Sequence, residues 1–269
     1  MKSGARKQEE NPATAVERTL AILEAVSQRG GGMTNAEISR KLGIPKSTAS
    51  YMLRALEKHG YLRREDTGPY KLGVKVLSLG RSALSELDVR SVAMPFMRQL
   101  VEHSNLTAHL AILDGTEAVY VAKVDSPGFI KMDTWVGKRA EVHTTSVGKA
   151  LAAYVPEEKV HEIVKERGGL KKITQHTLTT MSRFLRDLEK VRERGYSIDN
   201  EENSLGVRCL AAPVFNETGR LEASLGVSGT VNQIPLEHVP RLAEMVKEAA
   251  RKVSVQLGWR AKTEVRKEK

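Results

Sequence analysis

The chain has 269 residues, enough for two domains of ordinary size, each with its own core. Its formal net charge is +10, unevenly placed: residues 1–80 hold 14 basic and 8 acidic side chains, residues 81–257 hold 24 and 23, and residues 258–269 hold 5 and 2. A single cysteine, Cys209, excludes an internal disulfide and multi-cysteine zinc patterns, and no apolar run reaches membrane-spanning length, so the expectation is a cytoplasmic protein with no membrane partner, no metal and no cofactor.

Residues 1–12 read as a flexible polar tail. A first helix is expected over 13–28, with Val16, Leu20, Leu23 and Val26 at roughly helical spacing and the glycines at 30–32 ending it. Next, Thr34 and Glu37 form the pattern of a capping box, and Ile38 and Leu42 continue an apolar face to Gly43, which suits a left-handed helix end. Pro45 can open another helix two residues later, because its missing N–H is not needed in a first turn. Along it Ala49, Met52, Leu53 and Leu56 make one buried stripe, leaving Lys46, Ser47, Thr48, Ser50, Tyr51 and Arg54 on the outer faces. A tight turn between two short helices, the second polar outside, is a helix-turn-helix whose second helix enters the major groove. Residues 61–64, a Gly68-Pro69 turn and residues 70–72 read as a β-hairpin wing bringing Arg63, Arg64 and Lys71 to phosphates. The alternative is an ordinary helical hairpin with a solvated basic face. The clustering of positive charge over residues 1–80 favours the DNA reader.

A linker helix is expected over 74–86, with Val76, Leu79 and Leu84 apolar, then a helix over 89–103 with Pro95 in its first turns. The texture then changes. Residues 107–113 and 117–124 read as strands joined by Asp114-Gly115, and 129–132 as a further short strand. Residues 143–154 run from a loop into an Ala-rich helix, followed by helices over 157–166 and 182–194, strands over 207–215 and 221–228, and a long amphipathic helix over 234–257. Mixed helices and antiparallel hairpins argue an α+β domain.

Several segments resemble the IclR family of bacterial transcriptional regulators, in order and over nearly all of 16–257. They are the winged helix-turn-helix, His143-Thr144-Thr145-Ser146-Val147-Gly148-Lys149-Ala150, the stretch from Gly195-Tyr196-Ser197-Ile198-Asp199 to Gly206-Val207-Arg208-Cys209, and Leu225-Gly226-Val227-Ser228-Gly229. The resemblance implies a C-terminal effector domain of GAF-like topology, dimers or tetramers, and control by a small metabolite that commonly bears a carboxylate. It implies a pocket lined by Ser146, Val147, Asp199, Cys209, Gly226 and Ser228. Position 226 departs from the family pattern, where a serine offers a hydroxyl that this glycine lacks.

The residues themselves leave alternatives. Residues 146–149 mark a loop turning into a helix, so unpaired N–H groups and the helix dipole suit a carboxylate; a buried turn with Lys149 in solvent is the blander possibility. Asp199 suits a turn as well as a ligand contact, and Cys209 suits a small buried side chain better than a reactive thiol. Leu110, Phe129, Met132 and Trp135 are apolar candidates for the pocket wall, which would suit an aromatic acid as well as a sugar acid.

The expected organisation is a tail over 1–12, a winged helix-turn-helix domain over 13–75, a linker helix over 76–90, an effector domain over 91–258 and a basic tail over 259–269. The expected function is a DNA-binding regulator, not an enzyme, with repression favoured over activation as its mode. Its partners are a double-stranded operator, a small carboxylate effector and copies of itself. The competing classes are a ligand-independent architectural DNA protein and a Cys209-dependent hydrolase. The second lacks any local histidine signature or an HExxH motif.

Overall fold

The computed structural model describes residues 14–64, 68–85, 88–129 and 131–260; the tail read over 1–12, most of that over 259–269, and three residues of the wing turn lie outside these. The chain divides into two compact units at residues 86/87.

In the first unit, α1 (Ala15–Ser27) starts at a capping box the sequence reading passed over: Thr14 Oγ1 accepts the Glu17 N–H, and the Glu17 carboxylate accepts the Thr14 N–H. Its buried stripe is Ile22, Ala25 and Val26. The expected stripe is therefore corrected: Val16 and Leu20 are 69% and 54% exposed, because the helix meets the rest of the unit only through its C-terminal half. Helix α2 (Asn35–Leu42) has the expected Thr34–Glu37 box, and Gly43 ends it at φ 63°, a conformation that costs a side-chain-bearing residue more than glycine. Helix α3 (Lys46–Lys58) follows Pro45, which sits at the cap position, and buries Ala49, Met52, Leu53 and Leu56 as expected. Strands β1 (Leu62–Arg63) and β2 (Lys71–Leu72) pair antiparallel to form the wing. Met33 and Tyr70 exchange both backbone hydrogen bonds, at 2.9 and 2.8 Å, tying the wing to the start of the helix-turn-helix. Ile22, Met33, Ile38, Ile44, Leu53 and Leu62 make the common core. Helix α4 (Val74–Ser85) covers the expected linker helix.

The second unit opens with α5 (Asp88–Ser104), which begins inside the stretch read as linker. Pro95 lies about two turns in, where its ring has no N–H to donate to the helix. Strands β3 (Thr107–Asp114), β4 (Glu117–Val124), β5 (Arg139–Glu141), β6 (Ser197–Asn200), β7 (Val207–Phe215) and β8 (Leu221–Thr230) form one antiparallel sheet in the order β5-β4-β3-β8-β7-β6. The two halves of the domain sequence thus meet at the β3–β8 pair. Helix α6 (Ser146–Ala152) packs on one face, held by Ser197 and Ser224, whose hydroxyls donate to the Ser146 and Val147 carbonyls at 2.6 and 3.0 Å. Helices α7 (Glu157–Glu166) and α8 (Met181–Arg194) add a layer outside α6 around Phe184, Leu188 and Ile163. Strand alternation sends Leu110, Leu210 and Leu225 to the opposite face, where α5 and α9 (Val239–Gln256) pack.

Two sequence expectations are corrected here. No strand is described at 129 or 131–132: Phe129 stands wholly in solvent, and Lys123 Nζ takes the Met132 and Thr134 carbonyls at 3.0 and 2.8 Å. The edge strand is β5 instead. The closing helix is shorter than 234–257: Pro235 and Pro240 confine the start to a single 3-10 turn (Leu236–His238), and α9 runs from Val239.

Candidate functional site

On α3 the buried stripe fixes which side chains face outward. Lys46, Ser47, Tyr51 and Arg54 are exposed, Tyr51 by 71%, while Thr48 and Ser50 are half-buried. A large aromatic held in solvent on a basic helix has no packing role in the isolated chain. The Asn35 amide donates to the Lys46 carbonyl at 3.3 Å, bracing the start of α3 against α2. On the wing Arg63 and Arg64 are exposed and Lys71 is half-buried. Arg64 is not loose: its guanidinium lies 5.0 Å from the Tyr70 ring centre and 3.7 Å from the Glu57 carboxylate.

In the second unit, Ser146, Val147, Asp199, Cys209, Gly226 and Ser228 all line one cavity of about 470 Å³. They come from α6, β6, β7 and β8, and the register explains their meeting: Asp199 pairs with Cys209, and Cys209 with Ser228, across three adjacent strands. The sequence reading missed His109, Tyr120, Thr134, Lys138 and Asn203, which line the same cavity. His109 had one available signal, its alternation with Thr107 and Ala111 on a strand. Its ring nitrogens lie 2.7 Å from Thr134 Oγ1 and 3.3 Å from Ser228 Oγ.

The apolar wall expected of Leu110, Phe129, Met132 and Trp135 is largely corrected. Leu110 faces α5 and α9, Phe129 is fully exposed, and Trp135 is more than half exposed, covered by Lys138 with its ammonium 4.5 Å from the ring centre. Only Met132 reaches the cavity. Residues 131–138 form a strap along its edge. Lys123, Lys131 and Lys138 hold this strap by donating to the carbonyls of Met132 and Thr134, Ser126, and Asp133 respectively.

Burial controls the charge of these groups. Loss of water pushes the Asp199 carboxyl up to about 7, against the pull of the Glu202 N–H and of Lys149. The same loss drives His109 down to about 3, helped by Lys123, so the ring is neutral near pH 7. It also pushes the Cys209 thiol strongly up, which leaves no thiolate for nucleophilic chemistry. Asp199 fills the turn role: Oδ1 accepts the N–H groups of Glu202 and Asn203 at 2.8 and 3.3 Å, and the residue also lines the cavity.

Lys149 is not in solvent. It is fully buried, with Nζ 2.7 Å from Glu202 and 3.0 Å from Asp187 on α8. The ammonium is therefore committed to a structural cluster, and what α6 offers the cavity is its first turn. Gly226 is explained by close approach, since a Cβ there would lie 2.4 Å from the Leu210 carbonyl oxygen and 2.8 Å from Ala211 Cβ.

Residues 81–255 match the family described as bacterial transcriptional regulator IclR C-terminal, and residues 15–66 match the IclR helix-turn-helix domain. The chain is 33% identical over 250 residues to the HTH-type transcriptional repressor AllR of Escherichia coli, covering 93% of this chain and 92% of that protein. It is 32% identical over 248 residues to the HTH-type transcriptional regulator XynR of the same organism, covering 92% and 98%. The crystal structure of Thermotoga maritima IclR superposes with a TM-score of 0.74 at 30% identity, covering 91% of this chain and 98% of that one. The matched relatives are regulators rather than enzymes, and with a DNA-binding module and an IclR C-terminal domain both matched, the chain belongs to the IclR family of transcriptional regulators.

Proposed function

We propose that this regulator is a cytoplasmic repressor whose operator affinity is set by a small organic acid held in the cavity of its C-terminal domain. The observation that carries this reading is the convergence on one cavity of the six residues that the family resemblance implies. Ser146 and Val147 contribute the first turn of α6, where Thr145 Oγ1 caps the Gly148 N–H and leaves those of Ser146 and Val147 to suit a carboxylate. Asp199 repels a carboxylate when ionised, so it accepts or donates a hydrogen bond elsewhere on the ligand. An architectural DNA protein has no use for such a polar-lined cavity.

On the DNA side, Lys46, Ser47, Thr48, Ser50, Tyr51 and Arg54 enter the major groove, and Arg63, Arg64 and Lys71 hold phosphates. The chain acts as a dimer or tetramer on a near-palindrome, because one winged helix-turn-helix covers too few base pairs. Exposed apolar residues on α1 and α4 (Val16, Leu20, Val74, Leu77, Leu79) support a self-contact there.

The deciding experiment measures operator binding with and without candidate acids for wild type, Asp199→Ala and Ser228→Ala. A ligand regulates only by binding the two DNA-affinity states unequally. Both variants should bind operator normally without ligand and need much more acid for release. Wild-type responses in both variants would place the effector elsewhere.

A further inference from the structure

The second unit is nearly neutral as a whole, with 24 basic and 23 acidic side chains over residues 81–257, yet residues 167–186 carry five lysines and arginines and no acid. The next turn of α8 adds Lys190. Helical spacing puts Arg183, Arg186 and Lys190 on one exposed face, and together with Leu178 and Asp187 they line a shallow groove of about 380 Å³ apart from the cavity described above. None of the three has a carboxylate partner among the described residues, whereas Arg139, Arg167 and Arg251 of the same unit each do. Arg186 Nε donates to the Ser182 carbonyl of its own helix at 3.2 Å, which leaves both terminal nitrogens of the guanidinium for a ligand. Asp187, the only acid of the groove, is drawn inward to the buried Lys149 at 3.0 Å. Glu189 and Glu193 lie further round the helix, on the next flank. We propose that this face of α8 is a second, sequence-independent DNA contact, at which Arg183, Arg186 and Lys190 hold the phosphate backbone beyond the base pairs read by the winged helix-turn-helix.

The form of the face selects this anion over others. A small anionic metabolite needs a pocket that covers most of its surface, and these three cations stand in solvent. An acidic protein surface needs an apolar centre with its charges at the rim, and Leu178 is the only apolar side chain in the groove. A nucleic-acid backbone needs neither. It is held by exposed cations spaced along it, and binding gains from release of its condensed counterions. At a rise of about 1.5 Å per residue, Arg183 and Lys190 stand about 10 Å apart along α8, the length over which one strand of a duplex passes about three phosphates. The first unit carries the DNA-binding module of the same chain, so a patch too weak to bind alone meets DNA at a raised local concentration. Contacts to phosphate act alike on every sequence, so this face adds affinity without changing which operator is chosen.

The test is the salt dependence of binding by the full chain to a mixed-sequence duplex of about 60 base pairs, followed by fluorescence anisotropy between about 50 and 200 mM salt. Each phosphate contact contributes about 0.9 to the slope of log K against log salt, so Arg183→Gln/Arg186→Gln/Lys190→Gln should make that slope shallower by about 2–3. Arg183→Lys/Arg186→Lys retains the charge and should retain the slope. Arg98→Gln/Arg220→Gln/Arg241→Gln removes the same charge from exposed positions elsewhere on the unit and should bind with the wild-type slope. A wild-type slope in the α8 glutamine variant overturns the proposal. So does an equal loss of slope in both glutamine variants, which would make the effect one of net charge, and so does an equal loss in the lysine variant.

Discussion

Replacing Asp199 by Asn should uncover a pH dependence of stability that the wild-type domain conceals. Burial moves the Asp199 carboxyl from 3.8 up to about 7, so between those values the folded chain keeps a proton that the unfolded chain has released. Stability then falls as pH rises through that window, by about 4 kcal/mol in all at about 1.4 kcal/mol per pH unit. His109 works in the opposite sense. Burial takes its imidazole from 6.5 down to about 3, so across that range only the unfolded chain holds the proton. Its contribution makes stability rise with pH, by about 5 kcal/mol in full. The windows overlap between the lower limit set by Asp199 and the upper limit set by His109, and there the two slopes nearly cancel. Asp199→Asn retains an oxygen for the Glu202 and Asn203 N–H groups but cannot titrate. The stability of the variant relative to wild type should therefore grow by about 4 kcal/mol between roughly pH 4 and 7. Both tryptophans, Trp135 and Trp259, belong to the second unit, so urea denaturation followed by fluorescence reports on this domain alone. A variant-minus-wild-type difference that stays flat across this range would refute the reasoning.

Lys149→Met should destabilise the effector domain by about 3–5 kcal/mol, because it leaves the buried Glu202 and the half-buried Asp187 carboxylates without their cation; urea midpoints from the same fluorescence signal measure this. Gly148→Ala places a Cβ 2.6 Å from Val142 Cα, so it should cost about 1–3 kcal/mol, whereas Gly128→Ala meets nothing within 4 Å and should melt like wild type. Thr34→Ala removes the cap on α2 and should cost about 1 kcal/mol in the DNA-binding unit, read by hydrogen exchange at Glu37 and Ile38. Charge removal at Arg63 and Arg64 together should weaken all DNA sites alike and reduce the salt slope of binding by about 1 for each phosphate no longer neutralised; a retained slope would take the wing out of the interface.

What the sequence discloses is mostly local. The Thr34–Glu37 box, the left-handed Gly43, the α3 stripe and the Asp114-Gly115 hairpin each depend on residues within a few positions of one another, and each is found where its chemistry calls for it. The errors arise where a distant partner decides. Helix α1 carries enough apolar residues for two stripes, and spacing alone does not reveal that only its C-terminal half meets the core. Residues 129–132 look like a strand, but Lys123, from β4, donates to the Met132 carbonyl at its end and to the Thr134 carbonyl just beyond. Lys149 looks like a solvent lysine because its two carboxylate partners lie 38 and 53 residues further along the chain.

The cavity follows the same division. The six residues expected there sit in segments with a recognisable family pattern, whereas His109 and Thr134 sit in none: the register of β3 against β8 brings in His109, and the hydrogen bond to His109 brings in Thr134. That register also gives the departure at position 226 a physical meaning. A serine side chain would collide with the Leu210 carbonyl of the neighbouring strand, so the glycine is fixed by how closely β7 and β8 approach. The cross-strand partner of Gly226 is His109, which lines the same cavity and hydrogen-bonds to Ser228, two residues along β8. The polar group at this level of the sheet is thus carried by β3 rather than β8, and it is an imidazole tied to the strap rather than a freely rotating hydroxyl.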